Sequence, residues 1–540
     1  MRFISLSYSK FFSITLPSFQ IGFEGGFWSI SIIFTFFCFS CVGQDTHIAK
    51  SSADTSAYPW LKPELNYVQF YQREAIEPLY KIWQEGKNSK INVVLFGDSH
   101  LQHGGYPDQL RKRLQELFGY GGQGLVFAFS AANTYSNIDY KTSHTGVWSY
   151  SKSFMNTLKL PLGVSGMSVR TEKLPASLTF TPKTSWQKNN TLKIFFKKDT
   201  ASFQPIAVID EETEIPITWD STDTRPFVSV KIPAVRKNIS IKLQKNKENQ
   251  SFFEFYGIVL EDEQAKGLIL HNAGVGAAKY NSVLRKELLE QQLPHFQADL
   301  IVIDFGTNDY LYDDKIADDL EKQIRETIAK VRNLSPKASI LLTTAQDLYW
   351  RKVNVKSSLA FAELIHKIAS ETNCIVYDWY WVAGGQTVMR DWVRAKIAQN
   401  DMVHLNEAGY RLKGNLFFEA LQNTMQWLHE NPNKKQFLLQ TDSLKAKQAH
   451  LLRKRVYAYN YVATSKSKVQ KKKGGTTPTP VIVAKQDIKP KPKTITHTVV
   501  SGDTLYALAA RYKVSVAELM QWNGLSNSNL RIGQNLIVKK

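Results

Sequence analysis

Val93-Val94-Leu95-Phe96-Gly97-Asp98-Ser99-His100 decides how this chain is read. Four consecutive apolar residues bounded by Gly97 have the pattern of a short strand buried on both faces. Just beyond, positions 108–118 set Leu110, Leu114, Leu117 and Phe118 at helical spacing. Strand, sharp turn carrying Ser99, then helix is the layout in which an α/β sheet presents a nucleophile at the carboxyl ends of its strands.

A serine alone carries no chemistry, and three later stretches supply what it lacks. His271-Asn272-Ala273-Gly274-Val275-Gly276-Ala277 is a glycine-rich turn behind a strand-like run, and Leu300-Ile301-Val302-Ile303-Asp304-Phe305-Gly306-Thr307-Asn308-Asp309 is a second buried-strand pattern ending in a side-chain amide. Asp401-Met402-Val403-His404 places an acid three residues before a histidine, ahead of a helix opening at Asn406. An imidazole can take the serine proton near neutrality, and a carboxylate one turn away can fix its tautomer and stabilise the imidazolium. Amide N–H groups can then receive the charge that develops on a carbonyl oxygen.

In this order the four stretches resemble the blocks of the SGNH (GDSL-type) hydrolases. The resemblance implies a three-layer α/β/α fold around a parallel sheet, with Ser99 as nucleophile, His404 as base and Asp401 as its acid. It also implies an oxyanion hole made by the Ser99 N–H, an N–H of the glycine turn and the Asn308 amide. Where many family members carry the oxyanion glycine this chain offers Ala277, with Gly274 and Gly276 as rivals. Asp98 is expected to hold the turn and Asp309 to brace Asn308. His100 and His103 are close in sequence but lack acidic or cysteine partners at ligand spacing, so neither a metal nor a cofactor is expected.

Far more chain separates Ser99 from Gly274 than one strand, helix and strand require. Between 130 and 265 the pattern changes to short period-two runs, among them 176–181, 192–196, 206–209, 227–232, 238–243 and 253–260. This predicts an inserted antiparallel β-sandwich, which resembles the jelly-roll insert of bacterial peptidoglycan O-acetylesterases. Hydrolase sequence is thus expected at 91–129 and 266–432, preceded by a helical segment at 44–90 that packs on it. In the second part, helices at 282–293, 316–334 and 358–372 alternate with strands at 300–305, 339–343 and 374–378, which calls for parallel strands.

At 540 residues with 43% hydrophobic content the chain is long and apolar enough for two or three domains. Its formal charge of +20 suits several anionic partners and does not choose among them. Positions 27–42 are uncharged and follow Arg2 and Lys10; the run is shorter than the ~20 residues that span a bilayer, so 1–43 reads as an export signal. Lipid attachment at Cys41 and a retained anchor are the other readings of that segment, and membrane contact is expected only through them. The remaining cysteine, Cys374, beside Ile375-Val376-Tyr377, reads as a buried small hydrophobe. No disulfide framework follows.

Positions 433–494 are rich in lysine and proline and read as an extended, self-repelling tether. The end of the chain, 495–540, resembles a LysM module of βααβ form. Members of that family bind N-acetylglucosamine-containing glycans, which here implies Gly502, Asp503, Thr504 and Leu505 facing Asn529, Leu530, Arg531 and Ile532. Together these features imply an esterase, periplasmic or associated with the cell wall, that removes O-acetyl groups from peptidoglycan. Glycan rather than nucleic acid is the expected partner. An O-acetyltransferase, an esterase for another acetylated polysaccharide, and a non-catalytic wall-binding scaffold are the alternatives.

Overall fold

Six strands form the sheet on which the site is built: β1 (Val68–Phe70), β2 (Lys90–Gly97), β3 (Gly267–Gly274), β4 (Leu300–Asp304), β5 (Ser339–Thr343) and β6 (Ile375–Tyr377). Their spatial order is β1-β6-β5-β4-β2-β3, parallel throughout except for the antiparallel edge strand β1. Gly97 at the end of β2 lies level with Gly274 on one side and Asp304 on the other. The ends of three separate motifs therefore meet at one rim of the sheet. This computed structural model describes residues 55–448 and 495–539, apart from positions 185, 187, 221, 263–265, 501, 502, 504, 513, 515, 526–529 and 532. The export signal with Cys38 and Cys41, the tether over 449–494, and Gly502, Thr504, Asn529 and Ile532 lie outside the described residues.

Alternation along each strand sends side chains into two cores. Val94, Phe96, Ile301, Ile303, Ile340, Leu342 and Val376 pack with helices α3 (Leu320–Leu334) and α4 (Ser357–Thr372). Val93, Leu95, Leu300, Val302, Leu341, Ile375 and Tyr377 pack with α1 (Glu77–Glu85), α2 (Gly105–Phe118) and α5 (Glu407–Glu430). The result is the three-layer α/β/α fold. Cys374 is fully buried and unpaired in the first core.

The sandwich enters between α2 and β3. One of its sheets runs Thr213–Pro216, Gln204–Ile209, Ile239–Gln244, Ser177–Pro182, Tyr140–Thr145; the other runs Phe227–Lys231, Thr191–Phe196, Phe253–Glu261, Met167–Thr171, Ser149–Lys152. Every pairing is antiparallel. Its apolar interior is continuous with the α3/α4 face of the main sheet, so the two share one core.

Three expected boundaries shift. Gly122–Val126, assigned from sequence to the hydrolase, pairs with Phe253–Glu261 and belongs to the sandwich. Its alternation is masked by glycine: a Cβ on Gly124 would stand 2.4 Å from the Leu270 carbonyl oxygen, so close contact with β3 excludes a side chain there. The segment before β2, read as helical, contains β1 because Val68 and Phe70 are buried against β6. The tether was expected from 433, yet Phe437 exchanges backbone hydrogen bonds with Phe70 (3.0 and 2.9 Å) and its ring lies 4.4 Å from Trp427. Farther on, the Gln448 side chain accepts the Gln386 N–H at 3.1 Å. The described residues up to 448 thus belong to the first of the two units into which the chain divides, and those from 495 belong to the second.

Helix α5 is fastened to the sheet by an ion pair. Lys413 Nζ stands 3.2 Å from Asp304 Oδ2, with both side chains buried, and the same carboxylate accepts the hydroxyls of Tyr106 and Thr343. The ammonium also lies 4.3 Å from the centre of the Tyr106 ring.

In the second unit Ile495–Thr498 pairs antiparallel with Asn535–Lys539 around helices Leu505–Tyr512 and Val516–Asn523. Val499, Leu505, Leu508, Ala509, Leu519, Leu536 and Val538 make its separate core.

Lys413→Met leaves a buried carboxylate without its cation, and such losses typically cost ~3–5 kcal/mol. Thermal unfolding should show a marked fall in the Tm of the first unit; an unchanged midpoint would show that the pair contributes nothing.

Candidate active site

Asp98 ends β2 and caps the short helical turn Ser99–Gln102, its Oδ1 accepting the His100 N–H at 3.0 Å. Ser99 is the first residue of that turn, so its own N–H has no intrahelical acceptor. Gly97 is required because a Cβ there would meet Leu101 Cδ1 at 2.0 Å and the Asp304 carbonyl at 2.6 Å.

His404 arrives from the opposite end of the chain. The Ser99 hydroxyl is hydrogen-bonded to His404 Nε2 at 2.9 Å, and His404 Nδ1 donates to Asp401 Oδ2 at 2.7 Å. Asp401 Oδ1 further accepts the N–H groups of Val403 (2.9 Å) and His404 (3.0 Å). Burial works to raise this carboxyl, but those hydrogen bonds outweigh it and hold it below the ordinary range. The loop is clamped on several sides: Met402 O accepts from Tyr349 N–H, Val403 O from Gln346 Nε2, and His404 O from Gln399 N–H. Behind it, the Asn406 side chain caps α5 by accepting the Gly409 N–H at 3.1 Å.

The turn 274–277 is laced to the Ser99 turn, and this separates its three candidates. The Gly274 N–H donates to Asn272 Oδ1 at 3.0 Å and the Gly276 N–H to Gln102 Oε1 at 2.6 Å, so both are engaged, contrary to the expectation that any of the three was available. The Ala277 N–H has no acceptor among the described residues. Ala277 has φ +65°, a left-handed conformation that favours glycine, which accounts physically for glycine being common at that place in the family.

Asn308 Nδ2 donates to Asp98 Oδ2 at 3.2 Å and to the Ala278 carbonyl at 3.1 Å. Burial, with the Asp304 carboxylate adding to it, pushes the Asp98 carboxyl up to about 7. Asp309 does not brace Asn308; its Oδ1 accepts the Tyr280 N–H at 3.3 Å, and its Oδ2 is buried without a hydrogen-bond partner. His100 Nδ1 meets the Tyr410 hydroxyl at 2.9 Å and its Nε2 meets Thr307 Oγ1 at 3.3 Å, while burial holds the ring neutral, well below its usual titration range. His103 Nδ1 accepts the Gly105 N–H. Among the described residues no cluster of three or more His, Cys, Asp or Glu is placed to hold a metal ion.

Sequence reasoning passed over Gln102 and Tyr410, which position the glycine turn and His100. Gln102 occupies one short helical turn and Tyr410 a long helix, and nothing in their spacing separates them from ordinary helix residues.

In the second unit, Asp503 Oδ2 meets His497 Nε2 at 2.7 Å and accepts the Val500 N–H at 2.9 Å. Burial again acts to raise the carboxyl, and these bonds hold it below the usual range. Leu505 is 1% exposed, so its side chain belongs to the core. Leu530 packs on that core, and Arg531 is exposed.

Residues 249–412 match the GDSL-like Lipase/Acylhydrolase family, and residues 497–539 match the LysM domain. The chain carries a GDSL-like lipase/acylhydrolase domain followed by a LysM domain. The segment matched to the acylhydrolase family holds Asn308, Asp401 and His404 but not Ser99, which the geometry above brings to them. A solved peptidoglycan O-acetylesterase shares the fold of the esterase domain: TM-score 0.56 at 19% identity, covering 67% of this chain and 99% of that one. A probable endopeptidase p60 of Listeria monocytogenes serovar 1/2a is 39% identical over 79 residues, 14% of this chain and 16% of that protein. A probable N-acetylmuramidase of Lactococcus lactis subsp. cremoris is 54% identical over 52 residues, 10% of this chain and 12% of that protein. The chain thus spans less than a fifth of the length of these curated relatives. Among the described residues no helix is long and apolar enough to cross a membrane.

Burial pushes the Asp309 carboxyl up to about 7, above the ~3.9 expected in the unfolded chain. Its contribution to stability is therefore full below pH ~4 and lost as pH rises through about 7. Asp309→Asn should raise the Tm over wild type at pH 8 and give no such gain at pH 4; an equal difference at both would refute this.

Proposed function

We propose that the esterase domain is a serine acetylesterase acting on O-acetylated peptidoglycan, and that the LysM domain holds it on that polymer after export. The observation that carries the reading is the unbroken path from the Ser99 hydroxyl through His404 to Asp401, at 2.9 and 2.7 Å. Ser99 Oγ attacks the acetyl carbonyl while His404 Nε2 takes its proton, and Asp401 stabilises the imidazolium. The tetrahedral oxyanion is received by the N–H groups of Ser99 and Ala277 and by Asn308, whose amide must yield its 3.2 Å contact with Asp98 to reach it. The imidazolium protonates the departing sugar hydroxyl, leaving acetyl-Ser99. Water activated by the same imidazole then releases acetate and restores the serine.

The choice of polymer is supported by the LysM match, by relatives named as an endopeptidase p60, an N-acetylmuramidase and an autolysin, and by the O-acetylesterase that shares the fold. A tethered module raises the effective concentration of acetyl groups without changing the chemistry.

Acetate release from O-acetylated peptidoglycan should be abolished by Ser99→Ala and reduced by deleting the LysM domain, while turnover of p-nitrophenyl acetate survives that deletion. Equal background release by wild type and Ser99→Ala would leave a wall-binding scaffold. Acetylated acceptor accumulating faster than free acetate would make the enzyme a transferase.

A further inference from the structure

The segments next to Asn308 and to the Asp401–His404 loop carry a pair of aromatic side chains that the reaction does not use. Tyr312 is 53% exposed, and its ring meets that of the partly buried Trp350 edge to face, with centroids 4.8 Å apart at 90°. Each ring is tied to a different part of the catalytic apparatus. Tyr312 lies one helical turn beyond Asn308, where the Leu311 N–H still reaches the Thr307 carbonyl at 3.1 Å. Trp350 follows Tyr349, whose N–H holds the carbonyl of Met402, the neighbour of Asp401, at 3.1 Å.

The support beneath the pair is rigid. Trp350 sits on a hairpin, Tyr349–Trp350 against Val353–Asn354, closed by Arg351 and Lys352 with φ of +51° and +66°, the pattern of a tight two-residue turn. Asn354 Nδ2 donates to Asp347 Oδ1 at 2.7 Å, and Asp314 Oδ1 accepts the Ser357 N–H at 2.8 Å, which fixes the segment after Tyr312 to α4. Val353, 68% exposed, extends the apolar surface, and the Arg351 guanidinium stands 5.6 Å from the centre of the Trp350 ring. Rigid exposed aromatics beside a reacting centre mark a ligand surface, because they offer a large apolar face at little cost in conformational entropy.

We propose that Tyr312 and Trp350 form the subsite for the pyranose ring bearing the ester, whose C–H face packs in the right-angled corner between them. Arg351, beside the Trp350 ring, is the cation this surface offers to an anionic substituent of that sugar. The inference rests on the acetylesterase reading for the sugar's identity. The surface itself can be tested apart from it.

In the full-length protein, Tyr312→Ala and Trp350→Ala should leave kcat/KM for p-nitrophenyl acetate within about twofold, while kcat/KM for O-acetylated peptidoglycan falls at least tenfold, mainly through KM. Parallel losses on both substrates, or none on either, would overturn the subsite. Calorimetric titration of Ser99→Ala with an N-acetylglucosamine tetramer supplies a readout independent of ester cleavage. Two sites are expected, one of which disappears when Tyr312→Ala is added. Retention of both, or a single site in both proteins, would overturn the subsite. If wild type releases no acetate from peptidoglycan yet the tetramer site is lost with Tyr312, the substrate reading fails and the subsite stands.

Discussion

One buried ion pair, that of Lys413 with Asp304, ties the helix that follows His404 to the strand beside the one that ends before Ser99. A triad drawn from positions 99, 401 and 404 needs tenths of an ångström of agreement between two distant parts of one polymer. Ser99 is fixed by its strand, whereas His404 depends on a loop whose only continuation is α5. Lys413 joins that helix to the end of β4, and the Tyr106 hydroxyl brings α2 to the same carboxylate. Two helices and a central strand are so gathered around one carboxylate, at the strand end level with Gly97. Burying an ion pair brings little net stability in general, because desolvation offsets the attraction. Here its directional demand is what serves the site, since apolar packing alone would tolerate small slides of α5.

The site above that pair is held by main-chain contacts more than by side chains. Met402 and Val403 give their carbonyls to the 346–349 stretch and His404 gives its own to Gln399, and the glycine turn is bonded to the Ser99 turn at Gly276. A nucleophile and base pre-set in this manner need little rearrangement when an ester binds, which is the condition for electrostatic stabilisation of the transition state. Only Asn308 is committed elsewhere, to Asp98 and Ala278.

What was legible in the sequence was the chemistry and the periodic elements. The run at β2, the Asp-x-x-His spacing, and the helices at α3, α4 and α5 announce themselves because one period dominates each. What was not legible depends on contacts between distant segments. Gly122–Val126 loses its alternation to glycines that β3 crowds from outside, β1 is three residues long, and Phe437 looks like one aromatic in a basic stretch until Phe70 and Trp427 are set beside it. The oxyanion turn is a subtler case. Sequence offered Ala277 with Gly274 and Gly276 as rivals, and only the partners of the two glycines, in the folded chain, tell the three apart. In the LysM domain helical spacing does point Leu505 and Leu508 inward, and both are buried.

The two accessory parts of the chain differ in how separable they are. The LysM domain has a core of its own, in which seven apolar side chains are buried among the described residues. The sandwich shares its interior with Val94, Phe96, Ile301 and Ile303 of the catalytic sheet. Excising it would strip one face of the strand that presents Ser99, so the insert is a structural half of the hydrolase and no detachable appendage.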